Sequence, residues 1–353
     1  MIHPKIWTTL HNKFLPKAII GSYMVLLLFG CKSKLSYTET PIAEQGLNGI
    51  DTVPKLHTIT FLPYWVAGAQ FAGYYVAEEM GIYKKYGIKL SVIPYQPFIT
   101  STDLIKEGKA DFAALWLSNA IQLKVLGTDI VNIAQLSSRS SLMLVAKKKS
   151  GIKSLQDMNG KKAGIWSGFE LQPNALFKKF DLKVKMIPIG STNNLFLMDG
   201  VDITNANWFD EYNTIINSGY NPDELNTFFF ADYGMNFLED GIYCLSSKLK
   251  SDPHLCRDFV NATVEGWMYA FNNQEQALNI VMDYTAKANI PANRTHQRWM
   301  LDRYKDLYIP NGKSEINTSL SVNDYQLMTN TLSENGLIKQ IPDFQTFYQP
   351  LIK

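Results

Sequence analysis

From residue 56 onward the apolar positions follow two recurring patterns, short alternating or continuous β-branched runs and longer runs with an apolar side chain every three or four positions. The first pattern reads as strand and the second as helix. Strands are predicted at 57–62, 88–94, 110–115, 130–135 and 142–147. Helices at 71–80, 100–107 and 118–126 separate them, each followed by a glycine, Gly81, Gly108 or Gly127. The pattern then restarts with a helical turn at 154–158, strands at 162–166 and 184–187, a helix at 173–180, and a segment at 201–206 that leads into a helix at 207–217. Strands at 227–230 and 242–245 follow, and after Asp252-Pro253 the chain is mostly helical, at 254–272, 274–288, 296–307 and 322–335.

Strands alternating with helices imply βαβ units and largely parallel sheets, here two units and a helical return. In open α/β sheets ligands sit beyond the carboxyl ends of the strands. The candidate loops are therefore 63–70, 116–119, 166–172, 205–212 and 231–240.

The amino-terminal segment has a different pattern. Lys5, Lys13 and Lys17 precede an apolar run at 18–29, shorter than the ~20 residues that span a bilayer as a helix. A basic flank with a short apolar core reads as an export signal. It ends in Leu28-Phe29-Gly30-Cys31, which resembles a bacterial lipobox, and that resemblance implies cleavage before Cys31 and lipidation of its thiol. The polar stretch at 32–55 would then be a tether.

Composition narrows the picture. A chain of 353 residues suits two lobes better than one core. With 34 basic against 32 acidic residues there is no electrostatic footing for nucleic acid. The five histidines are scattered and no Cys-x-x-Cys occurs, so neither a metal nor a cofactor is expected. Cys244 and Cys256 either form a disulfide, which an exported compartment permits, or are two buried thiols.

Seven segments carry a resemblance to a known family. They are the run from Tyr64-Trp65 to Val76-Ala77, Gly81-Ile82-Tyr83, Gly87-Ile88 to Val92, Gly108-Lys109-Ala110-Asp111-Phe112, Leu155-Gln156-Asp157-Met158-Asn159-Gly160-Lys161, and the pair Asn207-Trp208-Phe209-Asp210-Glu211-Tyr212 and Asn236-Phe237-Leu238-Glu239-Asp240-Gly241. In this order and spacing they resemble the SsuA and thiamine-pyrimidine-synthase-like binding proteins over residues 56 to 260. The resemblance implies a type II periplasmic-binding-protein fold: α/β, two lobes with a ligand cleft between them. The expected division is a signal with lipobox at 1–31, a tether at 32–55, lobe 1 at 56–146, lobe 2 at 147–246, and a return at 247–353 completing lobe 1. Crossings between lobes are expected near 144–149 and 246–248. Implied partners are a small-molecule ligand, an ABC permease and, through the lipid anchor, the membrane; a monomer is expected.

The family also contains enzymes that make the thiamine pyrimidine. Their lysine and histidine fall at Leu115 and Asn119 here, and their cysteine cluster falls at 234–239, where this chain has no cysteine. A Schiff base needs an amine that Leu115 lacks. No Gly-x-Ser-x-Gly, P-loop or Gly-x-Gly-x-x-Gly replaces that chemistry, so the expectation is a binding protein and no enzyme. The Glu239-Asp240 pair reads as a solvated or capping turn.

Within the loops, Trp65, Trp116, Trp166 and Trp208 offer surface for stacking a flat heterocycle. Gln70 is placed to bond a ring or cap a helix, and Tyr74 lies one turn further in. Ser118 and Asn119 suit the start of a helix. Glu170, Asn207, Glu211, Tyr212 and Tyr233 complete the expected ligand-binding set, with Glu211 and Trp208 on one helix face. The expected ligand is a small aromatic heterocycle, a thiamine pyrimidine precursor first. The alternative is a sulfonate or other small anion held by Arg139, and a further one is a sensor that hands closure to a partner other than a transporter.

Overall fold

The computed structural model describes residues 56–94, 101–310 and 312–351. The export signal, Cys31 and the tether lie outside the described residues. The first lobe begins with β1 (His57–Leu62), α1 (Ala72–Glu79), α2 (Ile82–Lys85), β2 (Ile88–Val92), α3 (Ser101–Lys106), β3 (Phe112–Leu115), α4 (Leu117–Val125) and β4 (Ile130–Gln135). The second holds β5 (Leu142–Lys147), β6 (Lys162–Trp166), α5 (Leu171–Lys179), β7 (Lys185–Ile189), α6 (Asn194–Leu197), β8 (Ile203–Asn207), α7 (Glu211–Asn217) and β9 (Leu225–Phe229). The chain then returns through β10 (Gly241–Leu245), α8 (Ser246–Ser251), α9 (Pro253–Asn272), α10 (Gln274–Lys287), α11 (Arg294–Tyr308), α12 (Val322–Glu334) and α13 (Phe344–Phe347).

Two five-stranded sheets result, ordered β2-β1-β3-β10-β4 and β7-β6-β8-β5-β9. Both contain one antiparallel strand: β10 runs against β3 and β4, and β5 runs against β8 and β9. This corrects two expectations. The sheets are mixed, and the boundaries at 146 and 246 are displaced, because β5 belongs to the second sheet and β10 to the first. The crossings are at 136–141 and 230–240. The reason is geometric. Each crossing leaves one sheet at its cleft edge and enters the other at its cleft edge, so the entering strand must run backwards.

β4 and β5 are buried at every position, which matches their unbroken apolar runs. Of the three lysines at 147–149, Lys147 is buried, with Nζ 2.6 Å from Asp199 Oδ1 and 3.0 Å from the Leu197 carbonyl. Cys244 and Cys256 are both free and buried, their thiols facing one another between β10 and α9.

The first lobe's outer core is aromatic. Phe61 stacks on Tyr74 at 4.0 Å, Phe112 on Phe259 at 4.0 Å, and Trp267 on Tyr304 at 5.6 Å. It closes because α1 and α9 touch backbone to backbone. A Cβ on Gly73 would lie 2.2 Å from the Trp267 ring, and one on Gly266 would lie 2.3 Å from the Gly73 carbonyl oxygen. Gly73→Ala is therefore expected to cost about 1–3 kcal/mol by overpacking, read as a lower urea midpoint. An unchanged midpoint would mean that the two helices can part without loss.

Candidate functional site

The carboxyl ends of β1, β3 and β4 and the amino end of β10 form the cleft edge of the first sheet. The corresponding edge of the second comprises the ends of β6, β8 and β9 and the start of β5. Both crossings pass between these edges, and a buried polar network ties them to each other. Glu239 Oε1 accepts from Ser140 Oγ at 3.0 Å, from the Ser141 amide at 3.1 Å and from Ser141 Oγ at 3.1 Å. The Glu239 carbonyl accepts from Gln135 Nε2 and Ser137 Oγ. Asn236 Oδ1 accepts from the Ser140 amide at 2.8 Å, and Asn236 Nδ2 donates to Asp324 on α12 at 3.0 Å. Arg139 and Asp232, one from each crossing, pair at 2.7 Å on the outside.

Glu239 is 1% exposed and Asp240 is 4% exposed, so neither is the solvated turn residue expected from the sequence. Burial, reinforced by the neighbouring Asp240, pushes the Glu239 carboxyl up to about 8 despite its three donors. Burial likewise raises Asp240 to about 7. A sequence signal existed. The pair is flanked by apolar Phe237-Leu238 and by Ile242, although Asp240-Gly241 is itself a turn dipeptide that masks this signal.

Aromatic rings meet across the cleft. Trp65 of the first lobe stands edge-on to Trp166 of the second, centroids 6.1 Å apart at 89°. Trp166 and Phe169 lie 5.4 Å apart, and Phe169 meets Trp116 of the first lobe at 5.4 Å. Tyr64 meets Trp116 at 6.4 Å. Trp65, Trp116 and Trp166 are thus brought together, each only partly buried.

Helix α11 clasps the second lobe beside this cluster. His296 places one ring nitrogen 2.8 Å from Asn213 Oδ1 and the other 3.0 Å from Asp210 Oδ1. Trp299 Nε1 donates to the Trp208 carbonyl at 2.9 Å, and Arg303 lies 4.6 Å from both the Trp208 and Trp299 rings. At its start, Gln297 Oε1 accepts from the Ala69 amide in the first lobe. None of the α11 residues His296, Gln297, Trp299 and Arg303 was expected from the sequence, which shows only a polar helix there. The i, i+3, i+7 spacing of His296, Trp299 and Arg303 places them on one face.

Several expected site residues have other work. Tyr74 is 2% exposed and belongs to the first lobe's core. Tyr212 is buried in the second lobe's outer cluster, 6.2 Å from Trp299. Tyr233 packs edge-on to Phe180 at the carboxyl end of α5. Gln70 is buried and donates to the Val66 carbonyl at 3.1 Å, folding its own loop. Glu170 turns back onto the Gly168 amide at 2.9 Å. The expected helix at 207–217 starts only at Glu211, because β8 runs through Asn207 and the Trp208 amide still bonds to the Ser141 carbonyl. Trp208 and Glu211 therefore share no helix face. Glu211 accepts from the Asn207 amide at 2.7 Å and is raised to about 7, by desolvation first and the charge of Asp210 second. Asn207 Oδ1 lies 2.9 Å from Ser141 Oγ, which places it beside the network that ties the two crossings. Ser118 is buried and Asn119 exposed, one and two residues inside a helix whose N-cap is Trp116.

An open cavity of ≈ 340 Å³ lined by Gly108, Asp111 and Lys248 lies at the far edge of the first sheet, with Lys248 and Asp111 paired at 2.8 Å. No aromatic ring lines it. Among the described residues no cluster of His, Cys, Asp or Glu could hold a metal, and no helix is long and apolar enough to cross a membrane.

Solved structures define the class. The periplasmic aliphatic sulphonate binding protein SsuA of Escherichia coli superposes with a TM-score of 0.66 at 15% identity, covering 84% of this chain and 93% of that one. Two lobes, each with a mixed five-stranded sheet, joined by two crossings, are the periplasmic-binding-protein fold. Within it the chain belongs to the NMT1/THI5-like family, whose model matches residues 68–277. Relatives include the riboflavin-binding protein RibY of Chloroflexus aurantiacus, 23% identical over 92% of this chain and 94% of its own. The 4-amino-5-hydroxymethyl-2-methylpyrimidine phosphate synthase of Legionella pneumophila is 23% identical over 66% of this chain and 75% of its own.

The buried acids make stability depend on pH. Unfolded, the Glu239 carboxyl ionises near its ordinary 4.5; folded, it holds its proton to about 8. Between these values the unfolded state binds fewer protons, so stability is greatest at the acid end and falls as pH rises through the window. Asp240 and Glu211, both raised to about 7, act in the same direction. The thermal midpoint is expected to fall from about pH 5 to about pH 8, and to fall less in Glu239→Gln, which lacks the titrating group. An equal fall in wild type and variant would remove Glu239 from this account.

Proposed function

We propose that the protein is an exported, lipid-anchored solute-binding protein of an ABC importer, which closes its two lobes on a small flat aromatic heterocycle. The observation that carries this reading is the ring cluster Trp65, Trp166, Phe169 and Trp116, drawn equally from both lobes at the joint cleft edge. Flat ligands gain most from such walls, and lobe closure completes the site. Two relatives support the chemistry by name, one a riboflavin-binding protein and one an enzyme of an aminopyrimidine. A thiamine pyrimidine precursor is the first candidate and a flavin the second.

Capture without chemistry fits the residues. Position 115 is a buried leucine and position 119 an exposed asparagine, where the pyrimidine-forming enzymes of the resemblance have lysine and histidine. The anion alternative asks for a free guanidinium. Arg139 is instead paired with Asp232 at 2.7 Å and lies 5.1 Å from the Phe229 ring centroid. Closed protein would dock on a permease, and the lipid on Cys31 would hold it at the membrane.

Trp166→Ala and Trp65→Ala are each expected to weaken binding of 4-amino-5-hydroxymethyl-2-methylpyrimidine or riboflavin by about 1–3 kcal/mol, the usual worth of a lost ring stack. Titration calorimetry against these two and a linear alkanesulfonate checks it. A sulfonate bound tightly, with binding lost in Arg139→Ala and kept in Trp166→Ala, would favour the anion reading. For the anchor, intact-mass analysis of membrane-extracted protein should find a chain starting at Cys31 and bearing acyl chains. A mature chain that begins elsewhere and carries no lipid would remove that part.

A further inference from the structure

The folded part of the chain holds two cysteines that the cleft does not use, Cys244 on β10 and Cys256 in the first turn of α9. Both are buried in one core cluster, and their thiols meet, with the Cys244 S–H donating to the Cys256 sulfur. A short excursion of the chain brings them together. β10 ends at Leu245, the Ser246 amide bonds to the Asp129 carbonyl at 2.7 Å, and α8 turns the chain back. Asp252 then caps α9 by accepting from the Leu255 amide at 3.0 Å, and Cys256 follows directly. Lys248 holds α8 down, its Nζ 2.8 Å from Asp111 Oδ1, while Asp111 Oδ2 accepts from the amide and hydroxyl of Thr60 at 2.9 and 2.8 Å.

The same excursion walls the open cavity at the far edge of the first sheet, through Leu245, Ser247, Lys248 and Ser251. The Lys248 ammonium acts on both sulfurs, so it belongs both to the cavity wall and to the surroundings of the thiols. The bond from Cys244 holds the Cys256 thiol below its ordinary range against the opposing effect of burial, and the Lys248 charge helps. Such a thiol beside a second one suits attack on an external disulfide followed by ring closure. No other cysteine competes. The third, Cys31, lies in the lipobox-like segment, where a lipid would occupy its sulfur.

We propose that Cys244 and Cys256 are a dithiol–disulfide couple, which an external disulfide closes after export into a covalent staple between β10 and α9. Cys256 Sγ gives up its proton and attacks one sulfur of the external disulfide. The other partner sulfur leaves with the electron pair and takes up that proton. Cys244 Sγ then attacks Cys256 Sγ, and the second partner sulfur leaves and takes up the Cys244 proton. The two thiols of this chain lose two electrons, and the external disulfide becomes two thiols. The staple closes the loop that contains α8, so it fixes the cavity wall and the root of α9, the helix that meets α1 at Gly266. It rests on the proposed export and is independent of the proposed ligand.

The test uses the full-length protein and glutathione. Reduced protein is held folded in oxidised glutathione, and a second sample is refolded from urea in the same buffer. Each is then unfolded, alkylated and weighed intact and as peptides. The expected product is lighter by two hydrogens, with Cys244 and Cys256 in one cross-linked peptide and neither alkylated. It should unfold about 5 °C above the reduced protein, because the link constrains a loop of about a dozen residues in the unfolded chain. The double variant Cys244→Ser, Cys256→Ser should unfold alike in oxidising and reducing buffer. Both thiols alkylated after both treatments would overturn the couple, and so would glutathione retained on either one as a stable mixed disulfide. Protein taken from the cell envelope and alkylated at once should carry the staple in chains that start at Cys31. Chains cut at Cys31 with two free thiols would overturn the staple and leave export standing. Uncut chains with free thiols would remove the export on which it rests, and the glutathione result would still decide the couple.

Discussion

The arrangement depends on one buried carboxyl. Glu239 lies on the second crossing and takes donors from Ser140 and Ser141 on the first, while its carbonyl takes Gln135 and Ser137. Such a network costs heavily when half satisfied and specifies one geometry when complete. Here it makes two crossings into one hinge. The direction of β5 and β10, and therefore the order of both sheets, follows from where that hinge lies. So does the cleft, because strand ends from both sheets can face one another only if both crossings pass between the same two edges.

Away from the crossings, further contacts hold the two lobes together. Rings from both lobes touch at Trp65 with Trp166 and at Trp116 with Phe169. Beside them α11, built on the first lobe, bonds to α7 of the second through His296 and to the Trp208 carbonyl through Trp299. Gln297 on the same helix pins the loop that carries Trp65. Movement of α11 would therefore act on both walls of the cleft, so closure and the shape of the site belong to one mechanical unit.

Strand and helix positions were largely legible because each depends on a local period. The 130–135 and 142–147 runs became β4 and β5 at the expected residues. Errors arose where a local pattern had two solutions. Residues 207–217 fit a helix, but Asn207 pairs with Leu142 and stays in β8. Two adjacent acids fit a turn, but Phe237 and Leu238 on one side and β10 on the other bury them. Tyr74 fits a cleft as well as a core, and only the approach of α9 at Gly73 and Gly266 decides for the core.

By itself the sequence determined the class of the protein: an α/β chain of two strand-helix units and a return, with tryptophans just past the strand ends, where a cleft would lie. Periodicity and position relative to strand ends are local properties, so they survive without coordinates. Only the tertiary structure decided which tryptophans meet, that Arg139 is neutralised by Asp232 and that Glu239 is the hinge. Those are contacts between residues distant along the chain. Their energies depend on burial and on which partner arrives, and neither is written in the spacing of residue types.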